Sequence, residues 1–226
     1  MNEGFKWAIP EALEVGTDPL RLRLDFHDQA VVMHVLEKMA TTVKIVSAMD
    51  VAHALAQQLS FSSGILPKET LWWTNTSGGP VVAIWQEPKI HRLALQEQAL
   101  GEPLRFKLPM PGLIFLCRPG QAPWVYAAKR RPTKPKDLVY RAPLCNVFED
   151  GRVCPGSHKF PLDVGQIPDS FFRSFFSATA DLRNRSQQFP DTVVKLWKFL
   201  DGKTTYNMKD LVKHGTVQDL MQGASR

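Results

Sequence analysis

The residues from Tyr140 to Pro161, YRAPLCNVFEDGRVCPGSHKFP, concentrate the groups that can do chemistry. Two of the three cysteines lie here, with an asparagine, an acidic pair and a histidine. Prolines and glycines at Pro143, Gly151, Pro155, Gly156 and Pro161 keep the segment irregular, and a long irregular stretch inside a compact domain is usually functional. Cys154 follows Gly151-Arg152-Val153 and precedes Pro155-Gly156, with Arg152, His158 and Lys159 close in sequence. Positive neighbours favour the thiolate, the nucleophilic form of cysteine. Asn146 lies eight residues upstream, and the Glu149-Asp150-Gly151 turn can fold the chain back so that its amide donates to an oxyanion near the sulfur. The competing reading makes Cys154 a small buried apolar residue.

The neighbouring groups admit two roles each. Asp150 either polarises an incoming amine or holds an Asp-Gly turn. His158, four residues past Cys154, can tune the thiol as a Cys–His pair. Cys145 is a partner for a redox disulfide or a spectator, and Cys117 sits in an apolar run that reads as core. Cys145, Cys154 and His158 lack the spacing and the fourth ligand of a zinc site. His27, His34, His53, His91 and His214 form no motif, and no phosphate loop, dinucleotide fingerprint or serine-hydrolase elbow is present. Neither a metal nor a cofactor is expected.

These spacings resemble the active-site segment of ubiquitin-conjugating enzymes, in which an Asn-Val-aromatic run leads through a Gly-bearing turn to an aliphatic residue and the catalytic cysteine. Asn146-Val147-Phe148, Gly151, Val153 and Cys154 fall in that register, with the same Asn-to-Cys spacing of eight. The longer run from Ala142 and Pro143 through Gly156 is similar to the prokaryotic ubiquitin-conjugating-like family D, which takes in a component of the plasmid-borne PRTRC cassette of ParB-related and ThiF-related genes. Leu144-Cys145 stands where the wider family has His-Pro, and Pro155 where it usually has Leu. The resemblance implies that Cys154 carries a ubiquitin-like protein as a thioester received from a ThiF-type activating enzyme and passes it to an amine on a protein target. It implies that Asn146 stabilises the oxyanion or holds the loop. It also implies the ubiquitin-conjugating-enzyme-like fold. Two other functions stand beside it: a catalytically silent scaffold of that fold, and a plasmid-associated nucleic-acid-binding protein.

The elements that must position this segment are legible as periodicities. Leu20 to Asp25 alternates apolar and polar, and Ala30 to Leu36 resumes an extended run, which makes a hairpin; β-branched Thr41 to Val46 adds a further strand. Ser47 or Asp50 caps a helix over Val51 to Leu59. From Thr70 to Ala128, strand candidates follow one another as an antiparallel meander. Phe171, Phe172, Phe175, Phe176 and Leu182 follow helical spacing after a cap at Asp169 or Ser170. A second helix is capped by Asp191, carries Val193, Val194, Leu196, Trp197 and Leu200, and ends at Gly202. Met208 to Val212 and Val217 to Met221 are short amphipathic pieces. Strands followed by helices make an α+β chain. The expected division is an N-terminal extension over 1–46, a ubiquitin-conjugating-like domain over 47–202 and a C-terminal tail or short helices over 203–226.

Composition bounds the rest. The 226 residues are 44% hydrophobic, enough for a core and too much for a wholly disordered chain. Three cysteines are too few, and odd in number, for a disulfide framework. No apolar run approaches a membrane span, and MNEGFKW has no signal layout, so a cytoplasmic protein with free thiols is expected. Lys and Arg exceed Asp and Glu by 28 to 22, a net +6. Five of these bases, Lys129, Arg130, Arg131, Lys134 and Lys136, form a short run broken by Pro132 and Pro135. That run reads as a solvated loop, with docking of an acidic partner or of nucleic acid as the functional alternatives.

Overall fold

The computed structural model describes residues 22–28, 30–37, 40–52, 64–76, 78–96, 102–174, 176–177 and 182–224. The chain divides into two compact units, 1–64 and 65–226. In the first unit β1 (Leu22–Phe26), β2 (Val31–Glu37) and β3 (Ala40–Val46) form an antiparallel sheet in that order. The expected hairpin thus gains its third strand. Residues 48–52 are helical, and the hydroxyl of Ser47 accepts the amide of Asp50 at 3.0 Å, as a cap does. The rest of that helix, and the first twenty residues, lie outside the described residues.

The second unit is a mixed α+β body. Its largest sheet among the described residues has six strands, β4 (Thr70–Thr76), β5 (Gly79–Gln86), β8 (Gly112–Cys117), β9 (Trp124–Ala128), β10 (Leu138–Arg141) and β12 (Lys213–Thr216), in the order β12-β10-β9-β8-β5-β4. The stretch from Thr70 to Ala128 therefore does not run as one meander. β6 (Lys89–Gln96) and β7 (Leu104–Met110) leave it to form a second sheet with β11 (Phe176–Ser177). The side chains explain the split. β5 and β8 are apolar on both faces and pair with each other in the middle of the large sheet, from Val82↔Cys117 to Gln86↔Leu113. β6 and β7 alternate, burying Leu93, Leu95, Phe106 and Leu108 and leaving Arg92, Arg105 and Lys107 exposed, so they suit an outer layer.

Each face of the large sheet has its own core. Val81, Ala83, Trp85, Ile114 and Leu116 meet helix α3 (Val217–Ala224) through Val217, Leu220 and Ala224. Val82, Ile84, Leu113, Phe115 and Cys117 face β6, β7 and two helices, α1 (Ile167–Arg173) and α2 (Val193–Leu200). Edge-on aromatic contacts link these layers. Phe115 meets Phe171 at 5.6 Å, Phe171 meets Phe176 at 5.3 Å, and Phe176 and Phe106 meet Trp197 at 5.6 and 5.7 Å. Each such pair contributes ~0.5–1.5 kcal/mol beyond its burial.

The helices differ from the sequence expectation in two places. α1 begins at Ile167, with Pro168 in its first turn, and stops at Arg173. Ser174 is extended, and both its amide and its hydroxyl bond the carbonyl of Phe171. The phenylalanine stripe is therefore shared between a helix and a strand: Phe176 pairs with Leu95 in parallel and still reaches the core. α2 is capped by Thr192, whose hydroxyl accepts from Val194, while Asp191 pairs with Lys195 one turn on. Gly202 has φ +75° just past the helix end, where an L side chain would be strained. The C-terminal residues are not appended loosely. Met208–Asp210 is a 3₁₀ turn, β12 extends the large sheet beside β10, and α3 covers that sheet.

Candidate active site

β10 delivers the chain into the chemical segment. Ala142, Leu144 and Cys145 are buried, and the indole N–H of Trp197 donates to the carbonyl of Pro143 at 2.9 Å. The chain then reverses in a narrow hairpin. The amide of Cys154 donates to the carbonyl of Asn146 at 2.8 Å, and that of Phe148 to Arg152 at 2.7 Å, with Val147 and Val153 bridged between them. Asn146 has φ +66°, a left-handed conformation that asparagine tolerates better than most residues. Gly151 has φ +90°, and a Cβ built there would stand 2.4 Å from the Tyr126 ring, so only glycine fits the turn.

Several groups hold this hairpin to the sheet. The amide of Val125 donates to the carbonyl of Gly151 and the hydroxyl of Tyr126 to that of Asp150, both at 2.7 Å. Burial, and then the nearby Asp150 charge, push the Tyr126 phenol upward, so it stays a donor. On the other side Arg185, 1% exposed, donates to the carbonyls of Val147 and Arg183 at 3.0 Å each. Arg185 was invisible in sequence: among Arg183, Asn184, Ser186 and Gln187 it reads as one more solvated polar residue.

The hairpin opens onto a cleft of about 490 Å³ lined by Asn146, Cys154, His158, Lys159, Arg173 and Ser177, among others. Cys154 is exposed at this cleft, whereas Cys117 and Cys145 are buried free thiols. Burial pushes the Cys145 thiol up to about 12 and raises Cys117 as well. Asn146 is 5% exposed, and its Oδ1 accepts the amide of Ser177 at 2.8 Å. His158 lies within 2.9 Å of the Ser170 hydroxyl and edge-on to Phe160. Asn146, Cys154 and His158 thus share one cleft.

Asp150 stands apart from it. Its carboxylate accepts the amide of Arg152 at 3.1 Å and its guanidinium at 2.6 Å. It lines another cavity, of about 230 Å³, with Tyr126, His214 and Asp219. Among the described residues no cluster of three or more His, Cys, Asp or Glu can hold a metal ion. The basic run is an ordered loop between β9 and β10. Asp137 collects the amides of Thr133 and Lys134 at 2.8 and 3.0 Å, Arg131 pairs with Glu69, and Lys129 lies 5.0 Å over the Tyr140 ring. Among the described residues no helix is long and apolar enough to cross a membrane.

An exposed cysteine held by a hairpin beside an asparagine suits acyl capture through sulfur. No curated protein and no solved structure gives a significant match to the chain. The model of Prokaryotic E2 family D matches residues 45–214, which include the whole hairpin, the cleft and the helices behind it. A match over well over half of the chain ties it to proteins related to ubiquitin conjugation: the chain belongs to prokaryotic E2 family D.

Proposed function

We propose that this chain is a cytoplasmic conjugating enzyme of the ubiquitin-conjugating fold that carries a ubiquitin-like protein on Cys154. One observation carries the reading: of three free thiols only Cys154 is exposed, and it lies across a hydrogen-bonded hairpin from Asn146 in one cleft. In the loading step the Cys154 thiolate attacks the thioester carbonyl held by a ThiF-type activating enzyme. A new C–S bond forms and the activating enzyme's thiolate leaves. In the transfer step an amine of the protein target attacks the same carbonyl. The C–N bond forms, the C–S bond breaks, the Cys154 thiolate leaves and the amine's surplus proton passes to solvent. Both steps pass through a tetrahedral oxyanion, and Asn146, which lines the same cleft as Cys154, takes the role of donor to it.

The test uses a ubiquitin-like protein and a ThiF-type activating enzyme that charges its own cysteine with it, with ATP. The native protein should form an adduct that thiol reductants release. Cys154→Ser should trap a reductant-resistant ester, and Cys154→Ala should form none. An adduct that persists in Cys154→Ala sinks the reading. No adduct on the native protein, with an activating enzyme that charges its own cysteine, leaves the silent scaffold instead.

A further inference from the structure

The lining of the Cys154 cleft has a one-sided charge. Lys159, Arg173 and His158 face it, and none of the described residues that line it carries a carboxylate. Two of these groups are held in place: His158 by the hydroxyl of Ser170 at 2.9 Å, and Arg173 by donation from its Nε to the carbonyl of Asp169 at 3.3 Å. The remaining described lining is small, with Pro155, Gly156, Ser157, Ser174 and Ser177 and no large apolar side chain. A volume of about 490 Å³ lies in the range of pockets that enclose a small ligand, ~300–1,000 Å³. It fits a short extended segment and not a folded surface. Cys154 lines this cleft, so an acyl group bound to its sulfur lies beside Lys159 and Arg173.

We propose that the cleft selects a carrier tail with a carboxylate side chain close to the carbonyl that becomes the thioester, paired with Lys159 and Arg173. This rests on the thioester reading above and names the substrate class of the same site. A general effect on the reactivity of the thiol would accelerate every acyl donor equally. Selection changes the ratio between donors.

The experiment needs no partner protein. Three acetylated tetrapeptide thioesters of 2-mercaptoethanesulfonate differ at one position, two residues before the thioester, which is Glu, Gln or Lys. Cys154 attacks the carbonyl, a C–S bond forms and the mercaptoethanesulfonate thiolate leaves, and intact-mass spectrometry follows the acylated protein. The expected order is Glu, then Gln, then Lys, with neighbours in the series about three- to fivefold apart, the size of exposed ion-pair effects. Raised salt should compress the series. Lys159→Glu with Arg173→Glu should reverse it, and each single reversal should weaken it, with circular dichroism reporting the fold. Equal rates for the three peptides, or an unchanged order in the reversed protein, overturn the selection and leave the thioester reading standing. No acylation by any peptide, while iodoacetamide still labels Cys154, removes both.

Discussion

The backbone amide of Ser177 donates to the side-chain oxygen of Asn146 at 2.8 Å, across 31 residues of sequence. This contact uses the acceptor end of the amide. The strand β11 that supplies Ser177 is only two residues long and exists because Phe176 and Ser177 pair with Leu95 and Gln96. The orientation of Asn146 is therefore set by a sheet edge and not by its own hairpin alone.

That geometry separates two roles of Asn146. Asn146→Asp keeps an oxygen for the Ser177 amide but removes the amide donor. Asn146→Ala removes both. With Asn146 as oxyanion donor, both variants should lose about 10²–10³ in the rate of thioester aminolysis, and Asn146→Ala, which also gives up the Ser177 bond, should lower the melting temperature. Single-turnover discharge of a Cys154 thioester to free lysine measures the first, and calorimetry the second. Near-native discharge by Asn146→Asp would restrict Asn146 to holding the loop.

The three thiols should report their environments directly. Cys154 is exposed, Cys117 and Cys145 are fully buried, and burial holds the Cys145 thiol up to about 12. Ellman's reagent at pH 8 should titrate one thiol rapidly in the folded protein and three in guanidinium. The fast thiol should vanish in Cys154→Ser. Two fast thiols in the native protein would contradict the burial of Cys145.

Gly151→Ala places a methyl group against the Tyr126 ring and puts an L side chain at φ +90°. The cost should be roughly 1–3 kcal/mol. Tyr126 also bonds the carbonyl of Asp150, so displacing its ring loosens the turn that leads to Cys154. Urea unfolding should show a lower midpoint with an unchanged slope. A stability equal to that of the native protein would mean the turn is not held as described.

His91 gives the fold a measurable acid sensitivity. It is 8% exposed and stacked on Phe172 with ring centres 3.6 Å apart. Burial, and then the neighbouring Lys89 charge, lower its pKa to about 4, and Asp169 offsets this in part. The folded protein thus keeps His91 neutral while the unfolded chain takes up a proton near the ordinary histidine value of about 6.5. Stability is fully present above about pH 6.5 and is lost as pH falls towards 4, by ~2–3 kcal/mol from this group. Melting temperatures of the native protein and His91→Phe between pH 7 and 4.5 should diverge, with the variant falling less. Parallel curves would show that His91 is not held neutral.

The strands and the hairpin were legible because they are local patterns. Alternation marked β1 and β7, extended runs marked β2, β5, β6 and β8, and the Asn146-to-Cys154 spacing with its Asp-Gly turn marked the reversal. Phe176 misled because large apolar residues at helical spacing are compatible with a helix, and here with a helix followed by a strand, since both bury the same ring. Asp150 and His158 were equally close to Cys154 in sequence. A hairpin sends its tip and its base in different directions, so Asp150 lines another cavity and His158 shares the cleft.

By itself the sequence determined the nucleophile candidate, its asparagine, the turn between them and the family, all carried by about twenty consecutive residues around Cys154. Only the tertiary structure decided which thiol meets solvent, that a buried Arg185 holds the carbonyl of Val147, and that Ser177 orients Asn146. Those relationships join residues 31 to 38 positions apart. No local periodicity encodes such pairs, because they follow from which strands share an edge and which side chains the packed core leaves no room to turn away.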